Sequence, residues 1–518
     1  MSDGLEVARA ALAGRPAWLV GGAVRDRVLG RPLTDLDLVV DGDPEQAARA
    51  IARAAGKAAC FALSEEFGAW RVVARDRAWQ ADLERLRGGS LQEDLRLRDF
   101  TVNAIAEPIE GGVTIDPLGG LEDLSARRLR MAGPEAFADD PLRVLRLVRI
   151  AVEMDLEPEE QTNAAARAHA GELSRVSAER VFMELRRILA SPRARHGIEL
   201  LDSLGATAVV LPELEALKGI EQNRFHHLDV YGHTLEVLDR TIELQADPAA
   251  TLGEEYTADL LALLNEPLAD EMTRGEALRW GALLHDAAKP LTRGVRPEDG
   301  RVTFIGHDAR GAELARTVLA RLRTSERLRA HVAALVRNHL RLGFLVHEPQ
   351  PLVRRTVYAY LRACEPVEVD VTLLSVVDRL ATRGEDSDRA IDAHMAVAHG
   401  VLRDALRWRA EGPPRPLWRG DELANELGIS VGPRVGELLE ELTQGQYTGE
   451  LKTREQALVY ARTRPTCSAS TWRICTRSRS PHSIRRAARR SCWGPRGSTW
   501  STPAVRSRGR RSSISICT

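Results

Sequence analysis

The apolar positions of this chain follow two rhythms. Near the N-terminus they form short runs bounded by turn residues: Trp18 to Val20 leads into Gly21-Gly22, and Asp35, Leu36, Asp37 and Leu38 alternate before Val39 and Val40. Period-two alternation sends successive side chains to opposite faces of a strand, so a small sheet is predicted here, with a helix starting near Ala23. Further along, apolar residues recur at helical spacing. In SAERVFMELRRIL, residues Val181, Phe182, Leu185, Ile188 and Leu189 form one stripe, and GEALRWGALLHD reads as a strongly apolar helix. The predicted class is an α/β head with a small mixed sheet, followed by mostly α-helical segments.

Composition supports several domains. At about 150 residues per domain, 518 residues imply three or more, and 44% apolar with only 4% aromatic residues favours helical cores of Leu, Val and Ala. No apolar run reaches the roughly 18 residues that span a membrane. The N-terminus MSDGLEVARAAL carries acids where a secretory signal carries basic residues, so a cytoplasmic protein with no membrane partner is expected. Only Cys60 and Cys364 precede residue 462, too few for a disulfide framework or a cysteine zinc site.

The net charge of −1 conceals an asymmetry. Residues 463–518 hold 13 Arg, no Lys and no acid, which leaves −14 on the remainder. Affinity for RNA must therefore rest on local patches. That segment also holds Cys467, Cys475, Cys492 and Cys517, with Trp472, Trp493 and Trp500, and shows no periodicity. Two readings stand: a disordered basic arm, or a gene read out of frame beyond an end near residue 462.

Asp35 and Asp37 project from one face of their strand, as a shared pair of Mg²⁺ ions requires. Alone, such a pair also fits a solvated strand edge, and Gly21-Gly22 alone also fits a plain turn. Together, with Gly22 lying 13 residues before Asp35, they suggest a phosphate cradle beside a metal site. In DDPLRVLRLVRIA, Asp140 precedes a proline suited to a first helical position, and Arg143, Arg146 and Arg149 recur at spacing three. From residues alone these make an N-cap and a solvated arginine stripe. Farther on, His233, His285-Asp286, His307, His339 and Asp378 lie on or beside separate predicted helices. Six imidazole and carboxylate groups could hold two divalent transition-metal ions, of the Mn²⁺, Ni²⁺, Fe²⁺ or Co²⁺ type.

GGAVRD…DLD resembles the signature of the DNA polymerase beta superfamily, specifically the class II tRNA CCA-adding enzymes and bacterial poly(A) polymerases. DLRLRDFTVNAIA (94–106), IDPLGGLEDL (115–124), DDPLRVLRLVRIA (139–151) and SAERVFMELRRIL (177–189) resemble the family's further blocks in order. The resemblance implies a nucleotidyltransferase head adding C, A or both from CTP and ATP to a tRNA 3′ end, with Asp35 and Asp37 catalytic. It implies that Gly21, Gly22 and Arg25 meet the triphosphate, that Asp26 supports their loop, and that Arg98 and Asp99 face the ribose. Leu97 stands where an arginine is frequent, and Asp139 where glutamate is usual. Asp140 and Arg143 take the place of groups that present hydrogen-bonding edges to the base, with Arg146 a second nucleotide contact. Asp82 is the candidate third carboxylate.

The histidine and aspartate series, with HDxxKP ending at Pro290, resembles the HD phosphohydrolase superfamily. This implies phosphodiesterase or phosphatase chemistry on 2′,3′-cyclic phosphates or phosphorylated RNA ends. The implied order is a head (1–150), a helical neck that begins the RNA-binding surface (151–228), an HD domain (229–400), a helical tail (415–462) and the basic segment (463–518). Poly(A) polymerase, or an HD hydrolase with an RNA-binding head, are the alternatives. The first is weakened because no block resembling (I/V)GRRFRLxHV lies between Val40 and Asp82.

Overall fold

A computed structural model describes residues 4–64, 68–222, 227–384 and 386–464; the expected basic segment, from residue 465 on, lies outside them. The head carries strands β1 (Ala17–Val20), β2 (Asp35–Val40), β3 (Ala59–Ser64), β4 (Ala69–Val73), β5 (Gln80–Arg85) and β6 (Ala106–Pro108), in the order β3-β4-β5-β2-β1-β6. Only β2 and β5 run parallel, so the sheet is mixed, as the alternation led us to expect. Helices Gly4–Leu12 and Pro44–Ala54 cover one face, where Leu36, Leu38 and Val40 of β2 join Ala8, Leu12 and Ile51 in a dry core. Period two then puts Asp35 and Asp37 on the opposite, open face.

The IDPLGGLEDL block explains how that face is framed. Both carboxylate oxygens of Asp116 accept backbone N–H groups, from Gly120 at 2.8 Å and Leu121 at 2.9 Å, and so start helix Gly120–Ser125. Asp123, fully buried, accepts the Thr101 hydroxyl at 2.6 Å and Arg130 Nε at 3.0 Å. The helix is thereby clamped on the Thr101–Asn103 turn, with Asp99 just before that turn and Asn103 ending it.

Behind the head, helices Arg143–Met154, Ala178–Ala190 and Ala194–Ser203 form the neck. The apolar stripe read from sequence is buried in full. The arginine stripe is not solvated as its residues alone suggested: Arg149 is 6% exposed, because Glu184 of the next helix covers it. Pro141 lies just before the helix, in a turn where Asp140 accepts the Leu142 N–H at 3.1 Å.

A bundle follows, built around helices Val230–Ala246, Arg274–Leu284, His307–Arg321, Glu326–Asn338 and Glu368–Ala381. Its core is continuous with the neck and the back of the head: Phe100, Leu145, Ile188, Trp280 and Val336 share one apolar cluster. Helices Gly420–Leu427, Pro433–Thr448 and Arg454–Arg462 close a smaller core of their own, joined to the bundle by the Tyr358, Trp408 and Tyr447 rings. Among the described residues no helix is long and apolar enough to cross a membrane.

A Cβ on Gly120 would lie 2.0 Å from the Thr101 carbonyl oxygen. Gly120→Ala is therefore expected to cost about 3 kcal/mol, read as a lower urea midpoint at unchanged slope. Gly171→Ala, where a Cβ meets nothing within 4 Å, is the control and should leave the midpoint in place.

Candidate functional site

The open face of the head sheet floors a cleft of about 690 Å³ lined by Gly21, Gly22, Arg25, Asp26, Asp35, Asp37, Arg71, Gln80, Asp82, Glu84, Arg98, Asp99, Asn103 and Arg146, with Arg149, Met183 and Arg187 from the neck. Gly21 has φ 66° and ψ −135°, a conformation that costs a side-chain-bearing residue several kcal/mol. A Cβ there would also sit 3.0 Å from an Arg98 nitrogen and 3.4 Å from an Asp37 oxygen. Gly21 thus lets backbone approach the acidic site where a side chain would be strained and crowded, while a Cβ on Gly22 would make only ordinary contact, 3.4 Å from Arg25 and 3.6 Å from Asp37.

Asp37 and Asp82 are register partners across the parallel β2 and β5 strands. Asp35 Oδ1 accepts Gln80 Nε2 at 2.6 Å, and Asp82 is gripped by Arg71 at 2.7 Å through each oxygen. Burial, and then the charges of Asp82 and Glu84, push Asp37 up to about 6 against the pull of Arg98. Oxygen donors of this density suit a hard divalent cation.

Around this acidic floor the positive groups are held in place by acids of their own. Burial would raise Asp99, yet Arg146, with Nε at 2.9 Å and Nη2 at 2.5 Å, and the Asn103 amide at 3.0 Å hold it well below the carboxylate range. Arg98 rests on buried Asp94 at 3.1 Å, and Arg25 is fixed between Asp26 and the Asn103 side chain. Two residues predicted for the site stand outside the cleft lining. Arg143 donates to the carbonyls of Leu97 at 2.9 Å and Ala136 at 3.0 Å, and Asp140 Oδ2 accepts Arg180 at 2.6 Å. Sequence reading missed Arg71 and Gln80, whose importance comes from cross-strand neighbours that no local motif reveals, and it assigned no site role to Asn103 and Arg187 although both lie inside the quoted blocks. It also missed Glu271 at the cleft rim, on a hairpin of the C-terminal bundle that docks on Arg186 at 2.7 Å.

The second predicted constellation assembles completely. His233, His285, Asp286, His307 and His339 are buried together with the Asp378 carboxylate nearby. His233 Nε2 lies 3.0 Å from Asp378 Oδ1, His285 Nε2 3.1 Å from Asp286 Oδ2, and His307 Nε2 3.3 Å from Asp286 Oδ1. Asp286 belongs to both groups of donor atoms able to share an ion, His233-His285-Asp286 and Asp286-His307-His339.

Three of the imidazoles are set for ligation by the backbone. Nδ1 of His285, His307 and His339 faces the carbonyl three residues before it, at 2.8, 2.6 and 2.7 Å. A carbonyl only accepts, so each Nδ1 carries the proton, and a neutral ring is left with its Nε2 lone pair turned to the cluster; at His285 burial opposes a charge, but the Asp286 and Asp378 carboxylates outweigh it and raise that ring's pKa. His307 Nε2 and His339 Nε2 then face each other at 3.3 Å as two acceptors, an arrangement that fits a cation between them. Burial, reinforced by the His285 and His307 imidazoles, pushes His339 down to about 4 and keeps it in the ligating form. The adjoining cleft of about 850 Å³ carries Lys289, Arg296, Arg301, Arg379 and Arg389, a lining suited to anions.

Comparison with known proteins follows the same order along the chain. Residues 17–130 match the family described as "Poly A polymerase head domain", 155–218 "Probable RNA and SrmB- binding site of polymerase A", and 230–383 "HD domain". An A-adding tRNA nucleotidyltransferase of Deinococcus radiodurans is 38% identical over 86% of this chain and 94% of its own length. A CC-adding tRNA nucleotidyltransferase of Thermus thermophilus is 36% identical over 86% and 93%. Among solved structures, a Thermotoga maritima CCA-adding enzyme complexed with tRNA shares the fold at TM-score 0.56 and 19% identity, covering 88% of this chain and 94% of that one.

The electrostatics of the head are directly measurable. With Asp37 raised to about 6, the folded state takes up a proton more readily than the unfolded chain, so stability is lost as pH rises from about 4 to 6. Asp37→Asn is expected to remove that slope and to stabilise the protein above pH 6 by on the order of 2 kcal/mol, measured by chemical denaturation across pH.

Proposed function

This chain belongs to the tRNA nucleotidyltransferase family, and on that footing we propose that it adds C, A or both, from CTP and ATP, to the 3′ end of tRNA. The observation that carries the reading is the acidic row of the head sheet, facing anchored arginines across a single cleft. In the transfer, the RNA 3′-hydroxyl oxygen bonds to the α-phosphorus, the bridge to the β-phosphate breaks, pyrophosphate leaves and the hydroxyl proton is released. Both modules belong to families that use divalent cations. In the head Asp35 and Asp37, with Asp82 as third carboxylate, would hold Mg²⁺, which when bound supplies charge stabilisation at the attacking and leaving oxygens.

The remaining roles fall to the chain itself. Gly21 and Gly22 admit the triphosphate close to backbone, and Arg25, Arg98 and Arg146 neutralise it. Asp26, Asp94 and Asp99 fix those guanidinium groups before the nucleotide arrives, so little reorganisation remains to be done. Base choice we assign to Asp140 and Arg143. For this, Arg143 must release the Leu97 and Ala136 carbonyls and Asp140 must release Arg180, so reading the base is coupled to a shift between head and neck.

For the HD cluster we infer a phosphohydrolase acting on phosphorylated or cyclic-phosphate RNA ends. His233, His285, Asp286, His307, His339 and Asp378 would hold a divalent transition metal, supported by their aligned Nε2 lone pairs. The arginines of the adjoining cleft would bind the phosphate.

Labelled CTP and ATP, offered with tRNA lacking its last one, two or three nucleotides, test the head; no incorporation with Mg²⁺ or Mn²⁺ defeats the reading. Asp35→Ala and Asp37→Ala should each lower transfer at least ~1000-fold while HD hydrolysis persists, and His285→Ala should do the reverse. Arg143→Ala should change the CTP/ATP ratio more than either KM; an unchanged ratio removes base choice from this residue. Chelation should lower the melting temperature by several degrees, and in His339→Ala that difference should shrink.

A further inference from the structure

Three charged side chains stand in one line across the head sheet. Arg71 of β4 is the register partner of Asp82 on β5, and Asp82 is in turn the partner of Asp37 on β2. All three face the cleft, and none is needed to hold the strands together, since Val72, Ala81 and Leu83 do the packing on the other face. Arg71 engages both oxygens of Asp82, Nε with Oδ1 and Nη2 with Oδ2, each at 2.7 Å. The pair is partly open to solvent, at 31% and 28% side-chain exposure, so it can exchange partners.

We propose that Arg71 is a movable counter-ion, which opposes a divalent cation at the Asp37–Asp82 end of the row until a nucleotide triphosphate draws the guanidinium away. The inference rests on Asp82 serving as the third carboxylate. A guanidinium on Asp82 and a cation shared by Asp82 and Asp37 place two positive charges within a few ångströms, and each lowers the other's affinity. The planar fork of arginine fits a phosphate as well as a carboxylate, so a bound triphosphate offers Arg71 an equivalent partner and removes the opposition. By reciprocity, the nucleotide then tightens the cation and the cation tightens the nucleotide. A row of bare carboxylates would bind Mg²⁺ whether or not substrate was present; this row is built to bind it with substrate.

The test is a Mn²⁺ titration of the full chain followed by electron paramagnetic resonance, in an Asp286→Ala background so that the HD cluster does not compete. Without nucleotide, Arg71→Gln should bind Mn²⁺ about three- to tenfold more tightly than its parent, the range expected for loss of a partly exposed pair. In transfer assays its KM for CTP and ATP should rise by a similar factor, with kcat changed less than twofold. Unchanged or weaker Mn²⁺ binding by Arg71→Gln overturns the proposal. Asp82→Asn separates the two readings. If Mn²⁺ affinity is untouched by that change, Asp82 is not a ligand and both readings fall; if it drops while Arg71→Gln gains nothing, the third carboxylate stands and the counter-ion role falls. Should Arg71→Gln melt below assay temperature, Arg71→Lys carries the test. It keeps the charge but loses the fork, so Mn²⁺ affinity should stay within twofold of the parent while KM rises, and equal KM values overturn the proposal.

Discussion

Asp99 is 5% exposed and carries its charge in that setting, which a protein tolerates only if the charge is met by partners already in place. Arg146 meets it from a helix behind the sheet, and the Asn103 amide and the Phe100 N–H complete its shell. Three helical positions later Arg149 is buried in its turn, and Glu184 of the neck must answer it at 2.6 Å. The sheet, the helix behind it and the neck are thus tied by a sequence of charges, none of which can be left alone. Removing one partner would strand a buried ion, at a cost of about 3–5 kcal/mol. The precision of the cleft follows from this obligation, because the groups that line it are the same groups that satisfy it.

Much of this was legible in the chain. Alternation in Asp35 to Val40 gave a strand and the face of its two aspartates, and the glycine pair marked a close backbone approach. The histidine series was read without its geometry, yet all six groups meet, because each sits at or near a helix end or on an inward helical face. Misreadings came where a residue's meaning depends on what packs over it. An arginine every third residue looks solvated until Glu184 is laid across Arg149. Arg71 was invisible for the same reason: its partner lies 11 residues away in sequence and is made a neighbour only by strand pairing.

The two sites hold positive charge by opposite means. In the head, acids anchor arginines and leave a raised Asp37 at the floor, so the pocket is poised between accepting a proton and accepting a metal. In the bundle, backbone carbonyls fix the imidazole tautomers, and a depressed His339 stays neutral. Each device prepares a donor set, one of oxygen and one largely of nitrogen.

The apolar cluster running from Phe100 through Ile188 and Trp280 to Val336 has a bearing on where the chain can be divided. A gene fragment ending at the back of the head would expose one half of an interior, and a fragment beginning at the bundle would expose the other. A cut between head and bundle therefore bares apolar surface on both pieces, a penalty the residues of the open head face do not share.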